Sequence, residues 1–248
     1  MAPEQSTDPW YRRFFGREYL EFDEHPETDT EVTFILEVLA PGPGTKILDV
    51  GCGYGRHLIP LGLEGCSVVG LDLSPVMISA ARNGAARSGI GTALVRADMA
   101  SIPFSGAFDA ALSLFSTFGY FETEDQNFRV LKDVSDALAP GGRLLIETAN
   151  RDFLIRHLTP AQVYRPGGML VLEERQFDSL TSRSRVDVTV FQDGEETHLY
   201  HSIRLYTFTE LQMLLSATDL ETQAVWGDYR GSGYTTDSPQ MIVLAAKI

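Results

Sequence analysis

Residues that form disulfides or bind metals are scarce in this sequence. Only two cysteines, Cys52 and Cys66, occur among its 248 residues. No Cys/His spacing typical of a metal site is present, and two cysteines cannot supply a disulfide framework. We therefore expect reduced thiols and no bound metal.

Positive charge is also in short supply. The sequence has 20 Lys and Arg against 34 Asp and Glu, which gives a formal net charge of −14. A surface this acidic repels phosphate backbones and anionic lipids unless a local basic patch is present. The densest basic stretches, 11–13 and 183–185, are diluted by nearby acids. We expect a small-molecule substrate, with no nucleic acid and no membrane as partner; a homodimer remains open.

Long apolar runs are missing as well. No run of about 18 apolar residues is present that could span a bilayer. The first ten residues lack the basic and apolar regions of a signal peptide, so we expect a cytoplasmic protein. The apolar content of 44% is nevertheless enough for the core of one large α/β domain with a small insertion.

Short apolar runs alternate with helical stretches from residue 46 onward. Five runs predict strands: KILDV, CSVVGLDL, TALVRAD, FDAALSLFS and RLLIETA. Between them, Ser74 followed by Pro75 has the chemistry of a helix start, and Thr123 with Gln126 is typical of a capping box. The alternation predicts a parallel sheet that binds its ligand at the carboxyl ends of the strands.

The pattern changes after residue 160. Three longer runs alternate apolar and polar residues as antiparallel strands do: 168–178, 183–192 and 196–206. A helix at about 209–218 and two final strands follow. We predict a Rossmann-like, doubly wound α/β sheet of seven strands, mostly parallel with the last strand antiparallel. A small antiparallel β insertion at 161–206 follows strand five, so the main domain comprises 46–160 and 207–248.

Residues 49–55, DVGCGYG, place three glycines two apart after the first apolar run. Glycine permits tight turns and leaves no Cβ between the backbone and a ligand. Asp72 ends the second run about twenty residues later, where its carboxylate can accept both hydroxyls of a ribose. The glycines fit either an ordinary strand-to-helix turn or a nucleotide-binding loop, and Asp72 favours the loop.

Two features discriminate between nucleotide cofactors. The dinucleotide pattern G-x-G-x-x-G requires a third glycine where this sequence has Arg56. Asp49 would face a pyrophosphate at a cost on the order of 3 kcal/mol for unit charges about 5 Å apart. A cofactor with an ammonium and a sulfonium group would instead be attracted to Asp49. The residues therefore favour S-adenosylmethionine over NAD(P).

Five segments in order resemble the class I S-adenosylmethionine-dependent methyltransferases. They are DVGCGYG at 49–55, GLDLSPVMISAAR at 70–82, RADM at 96–99, FDAALSLFSTFGYF at 108–121 and LAPGGRLLIE at 138–147. The resemblance covers about 46–150. It implies the cofactor S-adenosyl-L-methionine and the product S-adenosyl-L-homocysteine.

The resemblance also implies a set of cofactor-binding residues. They are Tyr11, Tyr19, Asp49, Gly51, Cys52, Gly53, Asp72, Leu73, Asp98, Met99 and Phe115. By this resemblance Asp49 and the loop backbone hold the methionine end and Asp72 holds the ribose. Leu73 and Met99 flank the adenine, whose amine donates to Asp98; an aspartate of an ordinary turn is the alternative for Asp98.

Residues 10–23 resemble the N-terminal helix that caps the cofactor in this family, so 1–45 is predicted to be a helical cap. Tyr11 and Tyr19 would contact the carboxylate end of the cofactor. The insertion resembles that of sugar-amine N,N-dimethyltransferases and of glycine or sarcosine N-methyltransferases. In those relatives it covers the substrate as a lid.

Candidate substrate contacts follow strands four and five: Ser116, Thr117, Tyr120, Asn150 and Arg151. Methyl transfer depends mainly on alignment of the acceptor, so the identity of any catalytic base stays unknown. The candidates are Tyr120, Glu147 and His201. Helix capping and a surface ion pair are alternatives for Glu147, Asn150 and Arg151, and an exposed edge position is the alternative for His201.

We predict a small-molecule methyltransferase, with N-methylation the leading hypothesis and O- or C-methylation open. The segment after strand four lacks the Asn/Asp-Pro-Pro-Tyr/Phe motif of many nucleic-acid amino-methyltransferases, which agrees with the acidic composition. Two other hypotheses are an NAD(P)-dependent oxidoreductase and a noncatalytic S-adenosylmethionine-binding module.

Overall fold

The computed structural model describes residues 8–248, so residues 1–7 of the predicted cap lie outside the described part. The helices are α1 (Trp10–Phe14), α2 (Arg17–Phe22), α3 (Thr28–Leu39), α4 (Leu58–Leu63), α5 (Pro75–Arg87), α6 (Glu124–Ala137), α7 (Arg151–Arg156) and α8 (Phe208–Ser216). The strands are β1 (Lys46–Val50), β2 (Ser67–Asp72), β3 (Ala93–Arg96), β4 (Phe108–Ser113), β5 (Leu138–Ala149), β6 (Ala161–Tyr164), β7 (Leu170–Asp178), β8 (Arg183–Gln192), β9 (Glu195–Arg204), β10 (Leu220–Trp226) and β11 (Gln240–Lys247).

Seven strands form one sheet in the order β10-β11-β5-β4-β1-β2-β3. Strands β1 to β5 pair in parallel, and β11 is antiparallel to both of its neighbours. The central strand β1 is buried on both faces, at Ile47 and Leu48. Because parallel sheets need helices on both faces, α3 and α4 cover one side and α6 and α8 the other. The predicted fold is confirmed.

Local chemistry sets where the helices start. The Ser74 hydroxyl accepts a hydrogen bond from the backbone N–H of Met77 at the start of α5. Thr123 and Gln126 form the predicted capping box of α6. Thr207 and Glu210 form a second capping box on α8, which was not predicted. Each box satisfies backbone N–H groups that lack partners within the helix.

The insertion forms a separate antiparallel sheet in the order β6-β7-β8-β9. Three of these strands match the predicted runs, and β6 is an addition. Strand β6 is short and exposed, with Val163 59% exposed, so its residues carry no alternating apolar signal. The apolar face of the sheet, which includes Val186, Val188 and Val190, packs against Trp10 and Phe14 of α1.

The end of the insertion is joined closely to the segment after β4. The backbone N–H of Arg204 donates to the carbonyl of Gly119 at 2.8 Å. Gly119 has φ +101°, and a Cβ there would lie 2.3 Å from the carbonyl oxygen of Arg204. Only glycine fits this close contact without displacing the backbone.

Two findings concern sequence-based expectations about the environment of the protein. Within residues 8–248, no helix is both long and apolar enough to cross a membrane. Cys52 and Cys66 are both buried and form no disulfide.

Candidate active site

A cavity opens at the carboxyl ends of β1, β2 and β4, where the sequence pattern placed the ligand. It contains about 930 Å³ of empty space, including its open mouth. The eleven predicted cofactor residues all line it: Tyr11, Tyr19, Asp49, Gly51, Cys52, Gly53, Asp72, Leu73, Asp98, Met99 and Phe115. Their roles in binding stay predictions.

The glycine loop closes the floor of the cavity. Gly51 and Gly53 have φ of +71° and +55°, which glycine adopts without strain. A Cβ on Gly51 would lie 2.5 Å from the Thr117 side chain, so Gly51 lets the loop pack against the segment after β4. A Cβ on Gly53 would meet nothing within 4 Å. Gly53 therefore leaves an open surface on which a ligand can lie against the backbone.

Asp49 is the enclosed acid of this site. Its side chain is buried, and Oδ2 has no hydrogen-bond partner among the described residues. Burial, helped by the charge of Asp72, raises the Asp49 pKa to about 7, while Arg56 acts in the opposite direction. An unpartnered carboxylate in a cavity wall is costly unless a cation lies beside it. The site thus fits the ammonium and sulfonium groups expected from the sequence.

Asp72 lies at the end of β2 and is fixed by two backbone donors. The N–H of Gly53 donates to Oδ2 at 2.9 Å, and the N–H of Ser74 donates to Oδ1 at 2.8 Å. Burial raises the Asp72 pKa, and these hydrogen bonds oppose the rise. Each carboxylate oxygen still has capacity to accept a hydroxyl. This geometry suits the predicted ribose contact.

The predicted adenine end lies beyond Asp72, where Leu73 and Met99 line the cavity. Asp98 also lines it, while its Oδ1 accepts from the N–H of Ala100 at 3.0 Å. The turn role that the sequence left open for Asp98 is therefore present. The turn role does not exclude the predicted contact with the adenine amine, since Oδ2 of Asp98 accepts no hydrogen bond from a described residue.

The N-terminal helices cover the cavity directly. Tyr11, Phe15 and Tyr19 line it, and the Ser74 hydroxyl ties this cover to the sheet by donating to the carbonyl of Phe15 at 2.7 Å. No residue of 161–206 lines the cavity. The apolar face of the insertion supports α1 and α2 from outside the cavity, and the role of the insertion as a substrate lid stays a prediction.

The segment after β4 contributes Thr117 and Tyr120 to the cavity wall, as predicted. The Thr117 hydroxyl donates to the Leu114 carbonyl at 2.7 Å, which fixes its rotamer. The Tyr120 ring packs on Trp10 with 4.7 Å between centroids. Burial raises the Tyr120 pKa, so we expect this phenol to act as a neutral donor rather than as a base.

Ser116 and Glu147 have structural partners instead of cavity positions. Phe115 and Ser116 both have left-handed backbone, with φ of 56° and 53°. Glu147 accepts from the N–H of Phe115, and the Ser116 hydroxyl accepts from the N–H of Ala149 at 2.8 Å. Both side chains thus hold a strained turn in place. Burial raises the Glu147 pKa to about 7, but this residue does not line the cavity.

Asn150 and Arg151 also lie away from the cavity. Asn150 caps α7, and its amide donates to the carbonyls of Thr235 and Ser238 at 3.0 and 2.8 Å. Arg151 donates to the Ser182 hydroxyl at 2.7 Å. The capping alternative therefore describes Asn150, and we no longer propose either residue as a substrate contact.

The sequence left two roles open for His201, a catalytic base or an exposed edge residue, and its position in the structure matches neither. It lies under α1, with its ring edge-on to Phe14 at 5.1 Å between centroids. Its Nδ1 is enclosed and has no hydrogen-bond partner within residues 8–248. Burial lowers the His201 pKa to about 4, so the ring is neutral at pH 7. It is neither an exposed edge residue nor part of the cavity wall. It packs beneath the cover as an apolar ring would.

Several cavity residues were not found from the sequence: Asp23, His25, Tyr54, Arg56 and His57. Arg56 and His57 both contact one oxygen of the buried Glu31, at 2.5 and 2.6 Å. This network joins α3 to the segment after the glycine loop. Arg56 carries the signal that could have found it, since it directly follows the last loop glycine.

Comparison with known proteins identifies the central segment. Residues 47–142 match the model of a methyltransferase domain. A cypemycin N-terminal methyltransferase of Streptomyces is 24% identical over 221 residues, which cover 82% of this chain and 84% of the relative. A dTDP-3-amino-3,4,6-trideoxy-alpha-D-glucopyranose N,N-dimethyltransferase of Streptomyces venezuelae is 26% identical, with 79% and 83% covered.

Two further matches set the limits of this likeness. The CcbJ methyltransferase of Streptomyces caelestis superposes with a TM-score of 0.83 at 19% identity, over 97% of this chain and 99% of that structure. A 23S rRNA (uracil(1939)-C(5))-methyltransferase of Shewanella is 37% identical over 99 residues, and the chain spans only 22% of its length. Residues 47–142 thus form a methyltransferase domain, and the predicted resemblance to S-adenosylmethionine-dependent methyltransferases is confirmed.

Proposed function

We propose that the chain transfers the methyl group of S-adenosylmethionine to an amine of a small molecule. The observation that carries the cofactor assignment is the enclosed Asp49 carboxylate, whose Oδ2 has no hydrogen-bond partner in the described part of the chain, in the same cavity as the open surface of Gly53. A pyrophosphate would be repelled there, and a cationic methionine end would be attracted. The NAD(P) alternative has no support in the comparisons.

The residues of the chain act mainly by placement. S-adenosylmethionine supplies an electrophilic methyl group on a sulfonium. Asp49 would accept from the ammonium group and Asp72 from the ribose hydroxyls, which fixes the direction in which the methyl group faces. Alignment of this kind contributes about 7–11 kcal/mol to lowering a barrier. Tyr11, Phe15 and Tyr19 cover the cavity and would exclude water from the reacting atoms.

An amine acceptor is favoured by a second enclosed acid. Asp23 lines the cavity, and its Oδ2 has no hydrogen-bond partner among the described residues. Four aspartates line the cavity, Asp23, Asp49, Asp72 and Asp98, and Asp23 is the one with no role assigned toward the cofactor. Carboxylates in a cavity attract cationic groups more strongly than neutral ones. Two relatives are named for methylation at nitrogen, of a peptide N-terminus and of an amino sugar. O- or C-methylation is less well supported by this charge.

A small acceptor is favoured over a macromolecule by the cover and by charge. The net charge of −14 disfavours a nucleic acid. A noncatalytic binding module stays the second hypothesis, and it predicts cofactor binding without transfer. Location in the cytoplasm and a homodimer remain predictions from the sequence.

Transfer of labelled methyl groups tests this proposal. The purified protein is incubated with S-adenosylmethionine tritiated in its methyl group and a cell extract, which is then separated by size. We expect label in the low-molecular-weight fraction and in a panel of amines that includes the amino sugar nucleotide, glycine and a short peptide. Label in tRNA, DNA or bulk protein would contradict a small acceptor. Calorimetric binding without any label transfer would favour the noncatalytic module.

A further inference from the structure

An imidazole and a carboxylate form a pair in the wall of the cavity, near Tyr54 of the glycine loop. His25 Nε2 lies 2.7 Å from Asp23 Oδ1, and both side chains are largely enclosed, with exposed fractions of 14% and 8%. Both residues line the cavity. Asp23 ends the segment 10–23 that resembles the helical cap and His25 lies just beyond it, but the cofactor assignment uses neither side chain.

The pair lies beside Phe115, a predicted cofactor contact just after the end of β4. The His25 ring meets the Phe115 ring edge-to-face, with 4.4 Å between centroids. Phe115 directly follows Leu114 at the end of β4, on the same cavity wall as Thr117 and close to the glycine loop. His25 therefore faces the region where an acceptor would meet the methyl group, not the adenine end.

We infer that Asp23 and His25 bind the acceptor amine and take up its proton. The carboxylate accepts the Nε2 hydrogen of His25, so the lone pair of the neutral ring resides on Nδ1. Oδ2 of Asp23 is enclosed and has no hydrogen-bond partner of good geometry among the described residues, with the hydroxyls of Tyr19 and Tyr54 near the same carboxylate. An ammonium or amine group would add a well-aligned donor to it. This inference rests on the proposed function, since it assigns the base for that reaction.

The step balances within the named groups. The lone pair of the acceptor nitrogen forms a bond to the methyl carbon as the carbon–sulfur bond breaks. The electron pair of the broken carbon–sulfur bond stays on sulfur. The proton of the methylated nitrogen passes to Nδ1 of His25, and Asp23 stabilises the resulting imidazolium. The same arrangement can act twice on a primary amine, because each transfer returns the proton to solvent before the next begins.

The charged and titratable neighbours of the pair come from several elements, including Tyr164 of β6, whose pKa is raised mainly by burial and by Glu173, with a smaller contribution from the Asp23 charge. Tyr19 of α2 and Tyr54 of the glycine loop lie close enough to Asp23 that, after burial, its charge contributes to raising the pKa of both phenols. His57 lies near enough to His25 to feel its charge, and Arg56 stands over the Phe115 ring at 5.3 Å. Glu31 holds both through one carboxylate.

The test compares His25→Gln and Asp23→Asn with His198→Gln, an exposed histidine of the insertion that pairs with Glu196. The probes are the three amines named above. We expect His25→Gln to lower kcat on the order of 100-fold, the loss typical of a missing general base. It should also remove the acidic limb of the pH profile of kcat while the affinity for S-adenosylhomocysteine stays within about twofold. His198→Gln should match the wild type.

A second readout does not depend on turnover. Nitrogen-15 NMR of the ring-labelled protein with S-adenosylhomocysteine should show the Nε2–H tautomer of His25 in the wild type and a mixture of tautomers in Asp23→Asn. An Nδ1–H tautomer in the wild type would overturn the inference. The inference would also be overturned if the wild type is active and His25→Gln has the same kcat and the same pH profile of kcat. That result would leave the proposed function intact. If the folded wild type methylates no amine, the proposed function fails and the inference fails with it.

Discussion

The two walls of the cavity differ in how their residues are spaced along the chain. The cofactor wall comes from contiguous strand ends, with Asp49, Gly51 and Gly53 in one loop and Asp72 at the next strand. The acceptor wall combines Asp23 and His25, which precede the sheet, with Thr117 and Tyr120, which follow β4. The residues of the cofactor wall lie close together in the sequence, while those of the acceptor wall are brought together only by long-range packing.

The difference teaches which part of the site a sequence motif can specify. A loop that must approach a ligand closely depends on backbone conformation, so its glycines are fixed in identity and spacing. A wall that must match one acceptor depends on side chains brought together by the fold. The following experiments either separate the two walls or show that they act as one.

The largest effect is expected for Gly53→Val. The new side chain would fill the open surface of the loop and meet the strain of φ +55°, so affinity for S-adenosylmethionine should fall by more than about 100-fold, beyond one lost hydrogen bond. Calorimetry measures it. Gly89→Val is the matched control, because Gly89 has φ +70° in open space outside the cavity. Equal affinity in both variants would mean that the cofactor does not lie on this loop.

Asp72→Ala comes next. The ribose hydroxyls would lose a charged acceptor, so affinity for S-adenosylhomocysteine should weaken by roughly 1.5–3 kcal/mol. The Asp109→Ala variant is the control, because Asp109 accepts from the N–H of Lys46 at the opposite end of the sheet. If Asp72→Ala binds as tightly as this control, Asp72 has only its structural role at the loop.

The pH dependence of stability tests the enclosed acid. Asp49 releases its proton near pH 3.9 when unfolded and at about pH 7 when folded. Between these values the unfolded state binds fewer protons, so stability falls as pH rises, by about 4 kcal/mol at most. Denaturant unfolding without cofactor measures this loss. Asp49→Asn should remove much of it and also abolish the stabilisation by S-adenosylmethionine. An unchanged pH profile would contradict the raised Asp49 pKa.

The smallest effect is expected for Val188→Ala in the insertion. Val188 is 2% exposed and packs under α1, so a cavity there should cost about 1–3 kcal/mol, which falls within the range for core truncations. Because the insertion supports the cover, methyl transfer should fall several-fold while cofactor affinity changes little. Val163→Ala on exposed β6 is the control. Equal losses of transfer and cofactor affinity would show that the two walls are not separable.

The cofactor wall could be predicted from the sequence because its signals are local. Asp49, Asp72 and the glycines lie at fixed distances from strands whose apolar runs are plain. Asn150 was misread as a substrate contact because its amide partners, Thr235 and Ser238, come 85 and 88 residues later. A polar residue after a strand gives no indication of whether the fold leaves it free.

The acceptor wall could not be predicted for a related reason. Asp23 and His25 lie two positions apart in an acidic segment, and that spacing alone indicates nothing. Their position follows from the packing of α1 and α2 between the insertion and the cavity. His201 shows the converse, since an alternating strand pattern placed it correctly on β9 but could not reveal that α1 covers it.

The contact between Gly119 and Arg204 bears on how such a protein could acquire new acceptors. It joins the end of the insertion to the segment that carries Thr117 and Tyr120, so a change in the insertion shifts these two side chains together. Asp72, the predicted ribose acceptor, is instead held by the backbone N–H groups of Gly53 and Ser74, outside this connection. Natural variation could therefore reshape acceptor choice through residues far from the chemistry, while the cofactor half is inherited unchanged.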